Sequence, residues 1–493
     1  MSVIWFVALA LAIPVYSLAI RIYNAYFHPL ARVPGPKLYI FTQIPFYYHT
    51  LKGDWNNVLK GLHDKYGPIV RFQANRVSLT TADAFKTIYG HKNDADKTFN
   101  KDFTSYRAKK TASHIINASH EDHKRMRRLI SHAFSDKALR NQEPVLQSYV
   151  DKLMSRLSEA SDRNESVDLV HWYNFATFDL IGDLAFGQSF HCLDSGNYHP
   201  WVKMIFENIK SFTYLTVARR LGMEGLAPYI TPAHLVKSAR EHAELTKETA
   251  RKRIASKNTE REDFMSYILR HNDEKGMTEN EIIENSNILI IAGSETTATL
   301  LSGASFYLLK NPEKMQKVVQ EVRSSFTSEA NITIQSVSQL PYMIAVLQET
   351  FRMYPPVPSI LPRVCPKGGE YLEGYWIPEK ASLGVPQWAA FQSGRNFRNP
   401  STFVPERWLD DPEYAADQKA VVQPFSMGPR NCVGKNLAYA EMRLIFARLL
   451  WTYDIELMQE SQNWSDQKIF ALWEKKQLKV KLTKRVALPE QTA

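Results

Sequence analysis

Three observations predict a mainly α-helical chain with small β-sheets (α+β). From Asn141 to Asn311 the apolar residues recur at helical spacing, with breaks near Asp194-Ser195-Gly196 and from Asp273 to Gly276. Between Leu361 and Val385 short apolar runs alternate with Gly and Pro, as in a small sheet. Near the C-terminus, Leu478-Lys479-Val480-Lys481-Leu482 alternates apolar and charged residues, as a half-buried strand does. A length of 493 residues permits several domains or one large fold, and no repeat, low-complexity tract or linker divides the body.

The elements follow in order. Val3 to Ile20 is apolar apart from Ser17, with Pro14 inside it. A helix of that length rises ~27 Å, just enough for a bilayer core. Arg21, Arg32 and Lys37 follow, and this cationic C-terminal flank predicts a cytoplasmic body. A cleaved signal peptide fits less well, because no basic n-region precedes the run and the run is longer than a normal h-region. The segment is therefore read as an uncleaved anchor. His28-Pro29-Leu30 and Val33-Pro34-Gly35-Pro36 cannot continue a helix and form a stiff link. Tyr66-Gly67-Pro68 opens an extended run, Ile69 to Phe72, which Val77 to Thr80 can pair with. The stretch from Trp201 to Leu221, with Phe206, Phe212, Tyr214 and Leu215, is a candidate for dipping into a membrane.

Thr278 and Glu281 form a capping box that opens a helix running to Leu309, and Asn311-Pro312 stops it. About thirty residues of helix span ~45 Å. Inside lies Ala292-Gly293-Ser294-Glu295-Thr296-Thr297. Spacings of three and four set Ile288, Ile291, Ala292, Glu295, Thr296 and Thr299 on roughly one face, so an acid and an alcohol join an apolar stripe. Gly293 weakens the helix, which calls for a reason such as close approach by a ligand. Pro341 can begin another helix and Pro355-Pro356 must follow its end. Within it Glu349 and Arg352 face the same side.

Composition narrows the function. Lys and Arg outnumber Asp and Glu by 61 to 51, giving a net charge of +10. The basic clusters Lys124-Arg125-Met126-Arg127-Arg128, Arg251-Lys252-Arg253 and Lys475-Lys476 read mostly as solvated surface. No nucleic-acid-binding module accompanies them, so no nucleic acid is expected as partner; a basic face suits an acidic electron donor or anionic lipid. The three cysteines, Cys192, Cys365 and Cys432, exclude a disulfide framework and suit a reducing compartment.

Cys432 carries the most information. It stands in Phe425-Ser426-Met427-Gly428-Pro429-Arg430-Asn431-Cys432-Val433-Gly434, just before a helical pattern from Lys435 to Trp451. Glycines let backbone approach a flat ring closely, and Arg430 can pair with a carboxylate through its planar fork. A helix start favours the thiolate, the iron ligand that promotes O–O cleavage. The segment resembles the haem-binding signature of the cytochrome P450 family, Phe-x-x-Gly-x-Arg-x-Cys-x-Gly, at every fixed position.

That resemblance runs from about the anchor onward. It implies a cytochrome P450 fold, with the long central helix over haem b and Cys432 as the iron ligand. It organises the chain as an anchor (1–21), a proline-rich hinge (22–37) and a single catalytic domain (38–493). Phe425, Gly428, Arg430 and Gly434 then belong to the haem loop. Ala292-Gly293-Ser294-Glu295-Thr296-Thr297 resembles the family's oxygen-side motif, which implies that Thr296 meets dioxygen or its water and Glu295 relays protons, with Ala292 and Gly293 against the cofactor. Glu349 and Arg352 match the family's Glu-x-x-Arg pair, locked by Arg407 of Pro405-Glu406-Arg407-Trp408. His123 and Arg127 resemble the Trp-x-x-x-Arg helix, with His where Trp is usual, and Arg363 matches another propionate contact. The implied pocket is lined by Phe103, Ile288, Ile291, Val357, Ile360 and Leu472 and takes a lipophilic small molecule. No dinucleotide or flavin segment is evident, so electrons are expected from NADPH-cytochrome P450 reductase, with cytochrome b5 as an optional second donor. The implied reaction is monooxygenation, as hydroxylation or epoxidation. The implied place is the endoplasmic reticulum membrane, single-pass, with the body in the cytosol. The link, and His132-Ala133-Phe134-Ser135, resemble filamentous-fungal members that serve secondary metabolism. Two rivals are a haem-thiolate isomerase or dehydratase, which often lacks the acid-alcohol pair, and a non-catalytic haem sensor, which needs no Thr296.

Overall fold

The structure, a computed structural model, describes residues 2–106, 112–200, 202, 213–223, 225, 233–256 and 263–485; for 2–11, 234–236, 238, 239 and 242 it describes the backbone alone. Phe206 and Phe212 of the expected membrane-dipping stretch, and the side chains of the first half of the expected anchor, lie outside these. The chain's contacts fall into two compact units built from interleaved segments.

The first unit takes residues 1–106, 358–400 and 417–431. Its helix α1 (Ser2–Tyr26) includes Pro14. Among the described residues, no helix is long and apolar enough to cross a membrane. A 3₁₀ turn at Pro29–Arg32 follows, since the prolines end the helix. The proline-rich link then lies along strand β1 (Ile69–Gln73), with Arg71 N donating to Pro34 O at 2.7 Å. Gly35 is required there, because a Cβ would overlap the Arg71 carbonyl. Helices α2 (Trp55–Tyr66) and α3 (Ala82–Tyr89) flank a five-stranded sheet. Its order is β1, β2 (Arg76–Leu79), β8 (Ser382–Gly384), β5 (Arg363–Val364), β3 (Asn100–Lys101). Only the β2–β8 pairing is parallel. The expected sheet between Leu361 and Val385 is thus divided, because β6 (Glu370–Leu372) and β7 (Tyr375–Ile377) form a separate hairpin.

The second unit takes residues 107–357, 401–416 and 432–493. Its described helices include α4 (His120–Ser131), α5 (Asp136–Asp162), α6 (Leu169–Phe186), α7 (Glu279–Leu309), α8 (Pro341–Met353) and α9 (Lys435–Thr452). Helix α7 begins with the complete capping box, Thr278 Oγ1 accepting from Glu281 N and Glu281 reaching back to Thr278 N at 2.9 Å. It packs along α6 and also meets α8 and α9. The core here is crowded enough that serines of α7 return their hydroxyls to carbonyls one turn back, as Ser294 does to Ile290 and Ser302 to Ala298. A three-stranded antiparallel sheet, β4 (Ser166–Asp168), β10 (Lys479–Lys484), β9 (Tyr453–Leu457), closes the unit.

Candidate active site

Helix α7 is buried through most of its second half, yet its middle is open. Ile288 and Thr296 keep part of their surface and Ala292 is exposed. These residues stand at successive spacings of four, so they form one stripe along the helix. Thr296 lies at the end of that stripe, its hydroxyl donating to Ala292 O at 2.6 Å. Ile291 and Gly293 border it. Close approach at Gly293 comes from the protein itself: a Cβ would stand 2.7 Å from Ile181 Cδ1 of α6. The glycine therefore needs no ligand to explain it.

The expected single face does not hold for the acid. Glu295 is 2% exposed and turns into the unit, where Lys475 Nζ stands 2.7 Å from Oε1. Thr299, also buried, completes a triangle: Lys475 donates to its Oγ1 at 2.9 Å and Thr299 reaches Glu295 Oε1 at 3.4 Å. Glu295 Oε2 is buried with no hydrogen-bond partner. Burial pushes the Glu295 acid up and the Lys475 ammonium down, each opposed by the other's charge. Lys475 was read as solvated surface and is not, since its side chain is 4% exposed. The signal lies next to it: Trp473, two residues earlier, is buried, while Glu474 and Lys476 on either side of Lys475 are exposed.

Cys432 precedes α9 in the same unit, and α9 packs on α7. Cys432 is exposed as a residue, yet the surrounding protein walls its thiol closely. Burial is the largest influence and raises its thiol above the ordinary value; the Gly434 N–H, Arg127 and Lys435 pull it back. The helix start expected to favour a thiolate is thus outweighed, and a bound metal cation would supply the charge this environment lacks. On α4, His123 is buried, and Arg127 donates to Ser131 Oγ at 3.2 Å with its charge felt by Cys432.

The first unit holds Phe425, Gly428 and Arg430 of the same loop. Gly428 is left-handed (φ 71°), and a Cβ would overlap the Tyr89 carbonyl, so no other residue fits. Arg363 is 4% exposed, and its Nε and Nη1 are buried without hydrogen-bond partners. Arg430 is pushed down to about 10, first by burial and then by Arg363. Lys101, which no sequence pattern singles out, is lowered strongly by burial and then by Arg363 and Arg430. Buried cations that repel one another, with guanidinium donors left open, fit an anion carrying carboxylates. A haem has two, so these residues suit that group.

Glu349, Arg352 and Arg407 come together with no exposure at all. Arg352 holds Glu349 through Nε at 2.9 Å and Nη2 at 2.7 Å, and Arg407 Nε reaches Oε1 at 3.1 Å. Val404 N and the Trp408 indole each add a bond at 2.9 Å. Of the expected pocket residues, Ile288, Ile291, Val357 and Leu472 lie in the second unit and Phe103 and Ile360 in the first; all are partly exposed.

Comparison with known proteins agrees with this chemistry. The family model for cytochrome P450 matches residues 33–482. The cytochrome P450 monooxygenase aclL of Aspergillus oryzae is 45% identical over 95% of this chain and 96% of its own length. The cytochrome P450 monooxygenase astA of Talaromyces wortmannii is 44% identical over 96% of each chain. The trichothecene C-4 hydroxylase of Trichoderma arundinaceum is 44% identical over 98% of each chain. The chain therefore belongs to the cytochrome P450 family, and it is an oxidoreductase of the monooxygenase class that depends on haem iron.

Proposed function

We propose that this enzyme inserts one atom of dioxygen into a C–H or C=C bond of a lipophilic small molecule in fungal secondary metabolism. The observation that carries the reading is the open stripe of Ile288, Ala292 and Thr296 on α7, in the unit that also presents Cys432. In the second unit Cys432 would hold haem b, with His123 and Arg127 as donors to a propionate; in the first unit Arg363, Arg430 and Lys101 suit a propionate by themselves. When bound, the haem supplies the activation of dioxygen, which needs two electrons and two protons and releases water. The chain's own residues do the rest. Gly434 N–H steadies the sulfur. Ile288, Ile291, Val357 and Leu472 of the second unit exclude water and orient an apolar substrate. The Thr296 hydroxyl, now bonded to Ala292 O, can turn to hold a proton or water on the open side. Glu295 is the acid that supplies that side with protons.

Electrons come from NADPH-cytochrome P450 reductase, with cytochrome b5 as a second donor. The protein sits on the endoplasmic reticulum membrane by its first helix, with the body in the cytosol. Ile13, Val15, Tyr16 and Leu18 are all exposed on α1, a band that lipid would cover. The hydroxylase among the relatives favours hydroxylation over epoxidation. The test is to feed fungal extracts to microsomes carrying this chain and search for a compound that gains the mass of one oxygen atom. The reading requires that product depend on both NADPH and reductase. Product formed without them would instead make the enzyme an isomerase or dehydratase.

A further inference from the structure

The triangle of Glu295, Lys475 and Thr299 is a buried charge pair placed one residue away from the open stripe of α7. Its geometry is uneven. Oε1 of Glu295 receives Lys475 at 2.7 Å and Thr299 at 3.4 Å, whereas Oε2 is enclosed with no hydrogen-bond partner. A purely structural ion pair loses stability by leaving an oxygen unsatisfied. Other charged and titratable groups also face the pair. Asp168, between β4 and α6, acts on Lys475, and Tyr198 and Tyr354 both sense the Glu295 charge. Asp168 Oδ2 lies 3.4 Å from Nδ1 of His171, whose side chain is 40% exposed, so the next charge beyond Lys475 leads toward solvent.

We propose that Lys475 is a positioning residue for proton delivery, anchoring the Glu295 carboxylate inside the second unit and reloading it each time the acid gives up a proton. In the reloading step the Lys475 N–H bond breaks and a Glu295 O–H bond forms across their hydrogen bond. An ammonium and a carboxylate become an amine and an acid, with no electron transferred. The Glu295 carboxyl then turns so that its new O–H lies on the Oε2 side, passes that proton toward Thr296 and becomes a carboxylate again, and the Lys475 amine takes up a proton from solvent water. Burial disfavours both charges of the resting pair and so favours the transfer, while each charge opposes it by stabilising the other. The inference rests on the reading of Glu295 as the proton relay.

The test uses the full-length haem-loaded enzyme with reductase and NADPH, without added substrate, and reads what fraction of consumed dioxygen leaves as hydrogen peroxide rather than water. Scarce protons favour peroxide. Lys475→Met should lower the water fraction about tenfold, less than the ~10²–10⁴-fold of a positioned proton donor because Lys475 acts through Glu295. It should also make that fraction fall as pH rises, where wild type stays level. Lys475→Arg, which keeps the charge, should recover most of the loss. Infrared difference spectra against Glu295→Gln should show a protonated carboxylic acid in Lys475→Met that wild type lacks. Should Lys475→Met not load haem, Lys475→Gln takes its place, since its amide can still reach Thr299. Unchanged partition in Glu295→Gln would overturn the relay reading and this proposal with it. Altered partition in Glu295→Gln beside wild-type behaviour in Lys475→Met would overturn the proposal alone.

Discussion

Two buried acids in the second unit are each held by a cation, and they differ in what is left over. Glu349 has both oxygens occupied by Arg352, Arg407, Val404 N and Trp408. Glu295 has one oxygen held by Lys475 and Thr299 and the other enclosed with nothing. The cations differ as well. A guanidinium cannot lose its proton in a protein, while a buried lysine can. The first site is therefore a fixed clamp that ties α8 to the 401–416 segment. The second can exchange a proton with its surroundings. Full satisfaction marks scaffold here, and incomplete satisfaction marks chemistry.

The strongest way to break this contrast is Glu349→Ala. It strands two buried guanidiniums, and the expected cost is ~3–5 kcal/mol, a large part of a domain's stability. Chemical unfolding, or failure to recover folded protein, checks it; a variant that unfolds like wild type would end the clamp reading.

A third acid differs again, because among the described residues no cation pairs with it. Glu441 of α9 is pushed up to about 8 by burial, partly offset by Thr297 of α7, and its Oε1 has no partner. Its folded pKa lies above the unfolded value of 4.5, so the neutral acid's contribution is complete below that pH and is lost as pH climbs through about 8. The slope it adds is at most ~1.4 kcal/mol per pH unit. Glu441→Gln should flatten the decline in unfolding free energy between mildly acidic and mildly alkaline buffer; an unchanged slope would show that Glu441 is charged throughout.

Next comes the double variant Glu295→Gln with Lys475→Met. Removing both charges should leave stability within ~1 kcal/mol of wild type, since a buried pair replaced by uncharged groups is often neutral. Oxygen partition should remain impaired. Restored partition would mean the pair serves packing alone. Thr296→Ala gives the smallest change in stability, within ~0.5 kcal/mol, because Ala292 O already belongs to the helix. It should nonetheless send more dioxygen to peroxide, and an unaltered ratio would remove Thr296 from the proton route.

The sequence was most legible where cause and effect are local. The Thr278–Glu281 box, the prolines bounding α8 and the alternation of β10 rest on neighbours a few residues apart, and each lies where its pattern put it. Gly428 stood out in the Cys432 loop, but the steric demand it answers comes from Tyr89, far away in sequence. Long-range choices were not legible. Helical spacing put Glu295 beside Thr296, but Lys475 drew it inward from 180 residues away in sequence. Gly293 suggested a ligand when the close neighbour is Ile181 of α6. Lys101 and Arg363 lie on paired strands, yet nothing in their short apolar neighbourhoods announces a shared cationic site. The two interleaved units were invisible for the same reason, since only tertiary contacts define them.

All of these readings depend on Cys432 as the iron ligand. The direct measurement is the carbon monoxide difference spectrum of the dithionite-reduced protein, wild type beside Cys432→Ser. Wild type should show the long-wavelength Soret band of thiolate-bound haem and the serine variant should lose it. A variant that keeps the band, or a wild type that never shows it, would rule out Cys432 as the ligand.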